Sequence, residues 1–244
     1  MFLRSLFVIG LMAFSLVARA DVLGAYVGVG YWNSSFGGDV VADVDVEDEL
    51  DISSDNGAQI YAGIEHPIPV LPNIRVARTN IEDSGTGTLS STFVYQGETF
   101  TATQTVATSV DLTHTDLTLY YEIIDIGMDV DVGLTARWLD GEVALDQAQE
   151  EVKGVLPMVY VRGKFYLPMS GLYVGGDINA VSYSESSVSD YSLRVGWETE
   201  SFLFPEFGIE GGYRRFNIDA DAEDTDVDVN LDMDGFFINL TAHF

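Results

Sequence analysis

Apolar side chains recur at every second position through long stretches of this chain, and this period restricts what it can fold into. Near the end of the sequence, Phe236, Ile238, Leu240, Ala242 and Phe244 share one face of an extended segment, and Phe237, Asn239, Thr241 and His243 share the other. A period of two is typical of a β-strand with one apolar face. The sequence therefore predicts an all-β protein.

The first twenty residues have the pattern of a secretory signal peptide. Arg4 precedes the apolar run Leu6–Val17, and Ala18-Arg19-Ala20 gives the small-x-small cleavage pattern before Asp21. The run is too short for a membrane anchor. We expect residues 1–20 to be removed, residues 21–244 to form one domain, and export to use the general secretory pathway.

Hydrophobic residues make up 47% of the chain and charged residues only 20%. Beyond the signal peptide, no segment has the ~18 consecutive apolar residues of a spanning helix. A β-barrel explains both facts, because each of its strands is apolar only at alternate positions. In lipid, helices and closed barrels are the structures that satisfy every backbone polar group.

The alternating segments predict ten strands, although eight remain an alternative if the Ile74–Ile81 hairpin is not embedded. The predicted strands are Val22–Trp32, Gly57–Glu65, Ile74–Ile81, Asp111–Ile123, Met128–Leu139, Val155–Tyr166, Leu172–Tyr183, Ser189–Glu198, Glu206–Asn217 and Asp232–Phe244. Their connections alternate between short turns and longer, acidic loops. This pattern predicts a transmembrane antiparallel up-and-down β-barrel with short periplasmic turns and longer outer loops.

Aromatic residues lie towards the ends of the predicted apolar faces, where interfacial girdles form. They are Tyr31, Tyr121, Trp138, Tyr191, Trp197, Tyr213 and Phe244. The alternative is a soluble sandwich or a lipocalin-like barrel, in which the apolar faces would point inward. The signal peptide and the aromatic girdles favour the membrane barrel.

Several motifs resemble a family of small proteobacterial outer-membrane β-barrel proteins of uncharacterised function. They are Glu65-His66-Pro67-Ile68-Pro69-Val70-Leu71-Pro72-Asn73, Tyr120-Tyr121-Glu122, Leu134-Thr135-Ala136-Arg137-Trp138-Leu139-Asp140-Gly141 and the closing strand. An aromatic at the end of that strand, Phe244, is similar to the terminal signature of bacterial outer-membrane barrels. The resemblance implies an outer-membrane location and recognition of Phe244 by the barrel-assembly machinery. It implies no catalytic residues.

The formal charge of −28 disfavours nucleic acid and anionic lipid as partners, and the lack of cysteine excludes disulfides and thiol chemistry. Acidic residues cluster in two predicted outer loops. Carboxylates that could bind Ca²⁺ or Mg²⁺ there are Asp45, Glu47, Asp219, Asp221, Asp224, Asp226 and Asp228. The alternative is a solvated acidic surface that binds no metal.

Charged residues on the opposite strand faces predict a network in the barrel lumen. Its members are Arg75, Glu122, Asp129, Asp131, Arg137, Arg194, Glu198, Glu210 and Arg214. A ten-stranded barrel is narrow, and an unpaired buried charge is unfavourable. We therefore expect these groups to pair and fill the lumen, and the alternative is a narrow passive channel for ions or solutes.

Two arginines depart from the alternation. Arg78 and Arg215 fall on the lipid-facing register near the outer ends of their strands. Guanidinium groups suit phosphate, so these residues are candidates to bind lipopolysaccharide. The alternative is that each side chain reaches to the interface without binding a specific lipid.

A hydrolase is the third functional hypothesis. His114 and Asp116 share a face near the outer end of a strand, an arrangement similar to part of the site of omptin proteases, which also have ten strands. Nucleophile-elbow, phosphate-loop and zinc motifs are absent. We expect no enzymatic activity and no cofactor, and we expect a structural or surface-interaction role through the acidic outer loops.

Overall fold

The computed structural model describes residues 24–40, 44–184, 186–199, 205–222 and 227–244. The predicted signal peptide and the candidate ligands Asp224 and Asp226 lie outside these ranges. Within them, no helix is both long and apolar enough to cross a membrane.

Fifteen strands form among the described residues. They are β1 Gly24–Val40, β2 Val44–Asp45, β3 Ser54–Glu65, β4 Asn73–Thr79, β5 Glu82–Thr88, β6 Phe93–Tyr95, β7 Glu98–Phe100, β8 Thr105–Asp111, β9 His114–Asp125, β10 Met128–Leu145, β11 Ala148–Tyr166, β12 Leu172–Tyr183, β13 Ser186–Glu198, β14 Glu206–Ala222 and β15 Val227–His243. Ten of them make a closed antiparallel barrel, and the other five lie at one end of it.

The barrel order is β11-β12-β13-β14-β15-β1-β3-β4-β9-β10, and β10 closes it by pairing with β11. Every neighbouring pair is antiparallel, and the first and last strands meet along a register from Tyr26–His243 to Val40–Val229. The predicted ten-stranded barrel is confirmed. The eight-strand alternative is wrong, because β4 pairs with both β3 and β9 inside the closed sheet.

The outer face of the barrel is apolar. Val29, Ile60, Leu134 and Leu193 are among the large side chains that project from it, and all seven predicted girdle aromatics are exposed. A water-soluble barrel would bury such a belt, whereas lipid stabilises it. The soluble alternative is therefore wrong.

The two ends of the barrel differ. We call the end with short turns, such as Ile126–Gly127 between β9 and β10, the inner end, and the end with long hairpins the outer end. The prediction of long loops at the outer end is wrong in detail. There β1, β10, β11, β14 and β15 run well past their predicted limits, and β2, β5, β6, β7 and β8 are additional strands.

The outer hairpins enclose a hydrophobic core of their own, which we call the outer head. Its buried members are Trp32, Phe36, Val44, Val46, Leu50, Ile52, Ile81, Leu89, Phe93, Tyr95, Phe100, Val106, Val110, Leu112, Leu145, Ala148, Phe216, Leu231, Met233 and Phe237. The acidic residues of these segments remain at the surface, while the apolar residues between them pack inward.

Apolar residues change sides where a strand passes from the belt to the outer head. Along β1, Val29 and Tyr31 point outward, whereas Trp32 and Phe36 are buried inside. On β15, Phe236 points outward and Met233 inward. Lipid surrounds the belt part of each strand and water the outer part, so the side that excludes water is reversed. This reversal locates the outer limit of the apolar belt.

Candidate functional site in the barrel lumen

Four buried charged side chains join opposite walls of the lumen. Asp190 on β13 accepts hydrogen bonds from Arg137 Nη2 at 2.7 Å and from Arg214 Nε and Nη2 at 2.8 and 2.7 Å. Arg137 on β10 also donates from Nε and Nη2 to the two carboxylate oxygens of Asp116 on β9, at 2.8 and 2.7 Å. Bidentate, charge-assisted bonds of this kind are strong and directional. We call these four residues the charge cluster.

The outer head covers the charge cluster. The Arg137 guanidinium lies 5.1 Å from the centre of the Phe216 ring, and that of Arg214 lies 4.6 Å from the Trp32 ring. Cations over aromatic faces gain electrostatic stabilisation where water is excluded. The apolar head and the charge cluster therefore form one continuous plug at the outer end of the lumen.

Below the charge cluster, Glu210 on β14 is held by neutral donors. Tyr61 donates to its Oε1 at 3.1 Å, Asn239 donates to the same oxygen at 2.7 Å, and Tyr173 donates to Oε2 at 2.9 Å. Arg194 Nη1 lies 3.5 Å from Oε1. Hydrogen bonds to the charged form keep a buried carboxylate ionised at a low free-energy cost.

Two glycines leave the space that is occupied by the tyrosine rings bound to Glu210. A Cβ on Gly28 would lie 2.2 Å from the ring of Tyr61, and one on Gly196 would lie 2.1 Å from the ring of Tyr173. Each ring lies against the backbone of a neighbouring strand, at a position that only glycine leaves open.

Further ion pairs continue towards the inner end. Arg194 pairs with Asp177, and Lys164 Nζ lies 2.9 Å from Glu198 Oε2. Tyr166 donates to Asp129 Oδ2 at 2.8 Å. The lumen thus contains alternating polar and aromatic layers along the part of the chain that the structure describes.

Arg75 is the exception among these cations. Its guanidinium lies 4.8 Å from the centre of the Tyr61 ring, and among the described residues it forms no ion pair. A neighbouring layer joins Tyr26, Tyr120 and Glu65, because the two tyrosine hydroxyls are 3.2 Å apart and Tyr120 donates to Glu65 Oε1 at 2.7 Å.

A small cavity of about 40 Å³ lies between the charge cluster and the Tyr61 layer. Arg75, Arg137, Arg194 and Arg214 line it, together with Asp177 and the hydroxyl and amide groups of neighbouring strands. Two donors of its lining, Arg137 Nη1 and Arg194 Nε, are buried and have no hydrogen-bond partner among the described residues.

The predicted lumen network is distributed over several levels. Arg137 and Arg214 lie in the charge cluster, whereas Arg194, Glu198 and Glu210 take part in the ion pairs below it. Asp131 is buried nearer the inner end, where it lies opposite Arg162 on β11. Glu122 keeps the predicted lumen register, because it lies opposite Asp131, but its side chain is exposed at the inner mouth, next to a β-bulge that shifts the register between Val130 and Asp131.

The predicted outer metal ligands whose side chains the structure describes are Asp45, Glu47 and Asp219. Asp45 Oδ1 accepts the backbone N–H groups of Glu47 and Asp48, at 2.9 and 2.7 Å, and so caps a turn of the outer head. Asp45, Glu47 and Asp219 belong to no group of three carboxylates among the described residues. Asp221 and Asp228 lie near the tip of the β14–β15 hairpin, where they pair across the two strands.

One group of three carboxylates with metal-ligand spacing occurs in the described ranges. It lies at the inner mouth, where ligand oxygens of Glu122, Asp125 and Asp129 come within 4.8 Å of one another. The register shift at the β-bulge places Asp125 opposite Asp129, alongside Glu122. The alternation predicts Glu122 and Asp129 on the lumen face but not Asp125, because the bulge breaks the period from which faces are predicted.

The two candidate lipopolysaccharide contacts are both exposed, but they differ in charge pairing. Arg215 Nε and Nη2 donate to Asp232 Oδ1, at 2.9 and 2.8 Å, so its charge is already paired. Arg78 Nη1 donates to the hydroxyl of Thr115 at 3.2 Å.

His114 and Asp116 are buried beneath the outer head. His114 Nδ1 lies 3.0 Å from the carbonyl oxygen of Leu112, and its ring centre lies 5.5 Å from that of Phe216. Both Asp116 carboxylate oxygens are bound to Arg137. Neither side chain is exposed to solvent.

Asp190 was not among the residues singled out from the sequence, although it is the centre of the charge cluster. A signal was present, because Asp190, Ser192 and Arg194 alternate on the predicted lumen face of one strand. Asp190 lies one residue from the predicted start of that strand, where the face assignment is weakest.

The closed sheet, the apolar outer face and the charged lumen together define a transmembrane β-barrel of the outer-membrane type. No protein-family model matches the chain, and no curated protein sequence does.

Solved structures give low-identity likenesses. The outer membrane protease OmpT of Escherichia coli matches at 12% identity and TM-score 0.44, over 92% of this chain and 96% of its own. A Pseudomonas aeruginosa FadL homologue matches at 9% and 0.35, over 92% and 90%, and the toluene transporter TodX of Pseudomonas putida at 10% and 0.25, over 91% and 89%. Because these TM-scores are below 0.5, the likenesses carry no functional assignment.

Proposed function

We propose that this protein is an outer-membrane barrel with a filled lumen that presents its acidic outer head as an interaction surface. The observation that carries the proposal is the continuous plug made by the outer head and the charge cluster. Four ionised side chains cross the lumen and bond to one another, and the buried apolar core of the outer head packs against them. Such an arrangement supports a structural and surface role over solute conduction.

The chemistry of the outer surface indicates the kind of partner. Glu47, Asp48, Glu142, Glu150 and Glu151 are exposed on the outer hairpins. A surface with one dominant sign of charge attracts partners of the opposite sign and accelerates their association. The proposed partner is therefore a protein segment or polymer rich in lysine and arginine.

Two measurements test this proposal. Planar-bilayer recording of the purified barrel is expected to show no stable conductance steps, and regular steps would favour the narrow channel instead. Binding of a lysine-rich peptide to the detergent-solubilised barrel is expected to weaken with added salt, and to weaken several-fold in a Glu142→Gln, Glu150→Gln, Glu151→Gln variant. A glutamate-rich peptide of equal length is the control, and equal binding of both peptides would refute an electrostatic surface role.

The proposal includes no enzymatic activity. Burial of His114 and the pairing of Asp116 with Arg137 support this part of it. Hydrolysis of peptide or lipid substrates by the wild-type barrel, and its loss in a His114→Ala variant, would contradict it.

A further inference from the structure

We propose that the lumen cavity is a binding site for a monovalent inorganic anion of halide size, which Arg75 holds together with Arg137 and Arg194. This inference is independent of the proposed surface role, because it concerns the interior of the barrel. It rests on the charge of the cavity lining, on the hydrogen-bond donors left without partners and on the size of the cavity.

The charge balance of the lining comes first. Four guanidinium groups line the cavity, but only three carboxylates do so, those of Asp116, Asp177 and Asp190. Asp116 and Asp190 are bound by Arg137 and Arg214, and Asp177 pairs with Arg194. Arg75 remains over the Tyr61 ring, and within the described ranges it has no carboxylate partner. The unpaired charge is therefore local to Arg75, because Arg194 has two carboxylate partners, Asp177 and Glu210.

Glu210 lies just beyond the lining and pairs with Arg194, and no ion pair joins it to Arg75 in the described ranges. Its two oxygens already accept hydrogen bonds from Tyr61, Tyr173 and Asn239, and Arg194 lies on the same side of it. An uncompensated buried charge is unfavourable unless a counter-ion or further hydrogen bonds neutralise it.

The free donors point to the same ligand chemistry. Arg137 Nη1 and Arg194 Nε are buried N–H groups without acceptors among the described residues. Guanidinium groups donate hydrogen bonds and accept none. A ligand that only accepts, and that carries one negative charge, matches both the donors and the unpaired guanidinium of Arg75. Water matches the donors alone.

The size of the cavity limits the ligand. Its volume is about 40 Å³, and one ordered water occupies roughly 10–15 Å³ by this measure. The cavity therefore has room for one halide ion and a water, and it is too small for an organic carboxylate of several carbons.

Thermal unfolding with chosen anions tests the site. The full barrel is refolded into detergent at constant ionic strength in sodium chloride, sodium bromide or sodium gluconate, since gluconate is too large for the cavity. We expect Tm to rise with halide concentration and to saturate in wild type, and we expect this rise to be lost in Arg75→Gln. Arg78→Gln, which removes an exposed arginine from the same strand, is the control and keeps the full rise.

A second measurement does not depend on the variant. Crystals of the wild-type barrel grown in bromide are expected to give an anomalous scattering peak within the cavity, between Arg75 and Arg137. Absence of that peak would overturn the proposal, as would an equal halide response in wild type and Arg75→Gln. Ordered water in the cavity, with no dependence of Tm on the anion, would assign its donors to water.

Discussion

The charge cluster allows a sharp prediction, because Asp190 is bound by two buried arginines through three hydrogen bonds. An Asp190→Asn substitution keeps the shape of the side chain but removes its charge. Arg137 retains Asp116, whereas Arg214 loses its carboxylate partner and keeps only neutral acceptors, including the oxygens of Gln59 and Thr79 at 3.1 and 3.3 Å.

Breaking a buried ion pair by removing one partner costs about 3–5 kcal/mol. We therefore expect Asp190→Asn to lower the free energy of unfolding by ~3–5 kcal/mol, which is roughly two to three and a half orders of magnitude in the unfolding equilibrium. The assay is reversible urea unfolding of the barrel in lipid vesicles, followed by tryptophan fluorescence.

The same substitution at a surface ion pair is the matched control. Asp232 binds Arg215, which is 44% exposed, whereas Arg137 in the charge cluster is 1% exposed. Surface pairs contribute only about 0–1 kcal/mol, so Asp232→Asn is expected to change stability little. Equal effects of Asp190→Asn and Asp232→Asn would show that the charge cluster does not hold the lumen together.

Three further predictions concern the outer head and the apolar belt. Phe216→Ala leaves a void in the head core and should lower the free energy of unfolding by ~3–5 kcal/mol. Limited proteolysis of the outer hairpins should accelerate in this variant but not in Phe207→Ala, which removes an exposed aromatic. Leu134→Arg places a charge on the belt and should cost ~2–4 kcal/mol, whereas Met169→Arg, in an exposed turn, should be neutral when both are compared by urea unfolding. Burial and the Glu150 carboxylate raise the pKa of Tyr95 to about 12 from 10.0, so its contribution to stability is present below pH 10 and is lost between pH 10 and 12. Tyr95→Phe should remove that part of the alkaline loss in a pH series of melting curves, and an unchanged series would contradict the assignment.

The barrel itself could be predicted from the sequence, because the residues of each strand alone determine which of its faces is apolar. On β10, Val132 and Leu134 face outward and Asp131 and Thr135 inward, and a period of two assigns all of them without knowledge of any partner strand. The aromatic girdles follow from the same period, since each ring needs only its own strand and a membrane boundary.

The outer head could not be predicted in this way. Its apolar residues, such as Val44, Val46 and Leu50, are separated by acids in a segment whose composition is typical of a solvated loop. They become a core only when residues far apart in the chain meet, for example Phe36 and Met233. Strand periodicity contains no information on such contacts.

The charge cluster falls between these two cases. Arg137 and Arg214 were assigned to the lumen from the alternation, but their common partner, Asp190, depends on which walls of a closed cylinder face each other. Two strands separate β10 from β13 on the shorter way round the barrel. Pairing across the lumen is therefore decided by closure and shear rather than by neighbouring strands.

The composition of the outer head has a consequence for assembly. Its core draws on the first strand, through Trp32 and Phe36, and on the last two, through Phe216, Met233 and Phe237. These segments come together only when β1 and β15 have paired. The burial of apolar surface in the outer head is therefore a late step of folding. The core of the outer head therefore stabilises the closed sheet over forms in which β1 and β15 are apart.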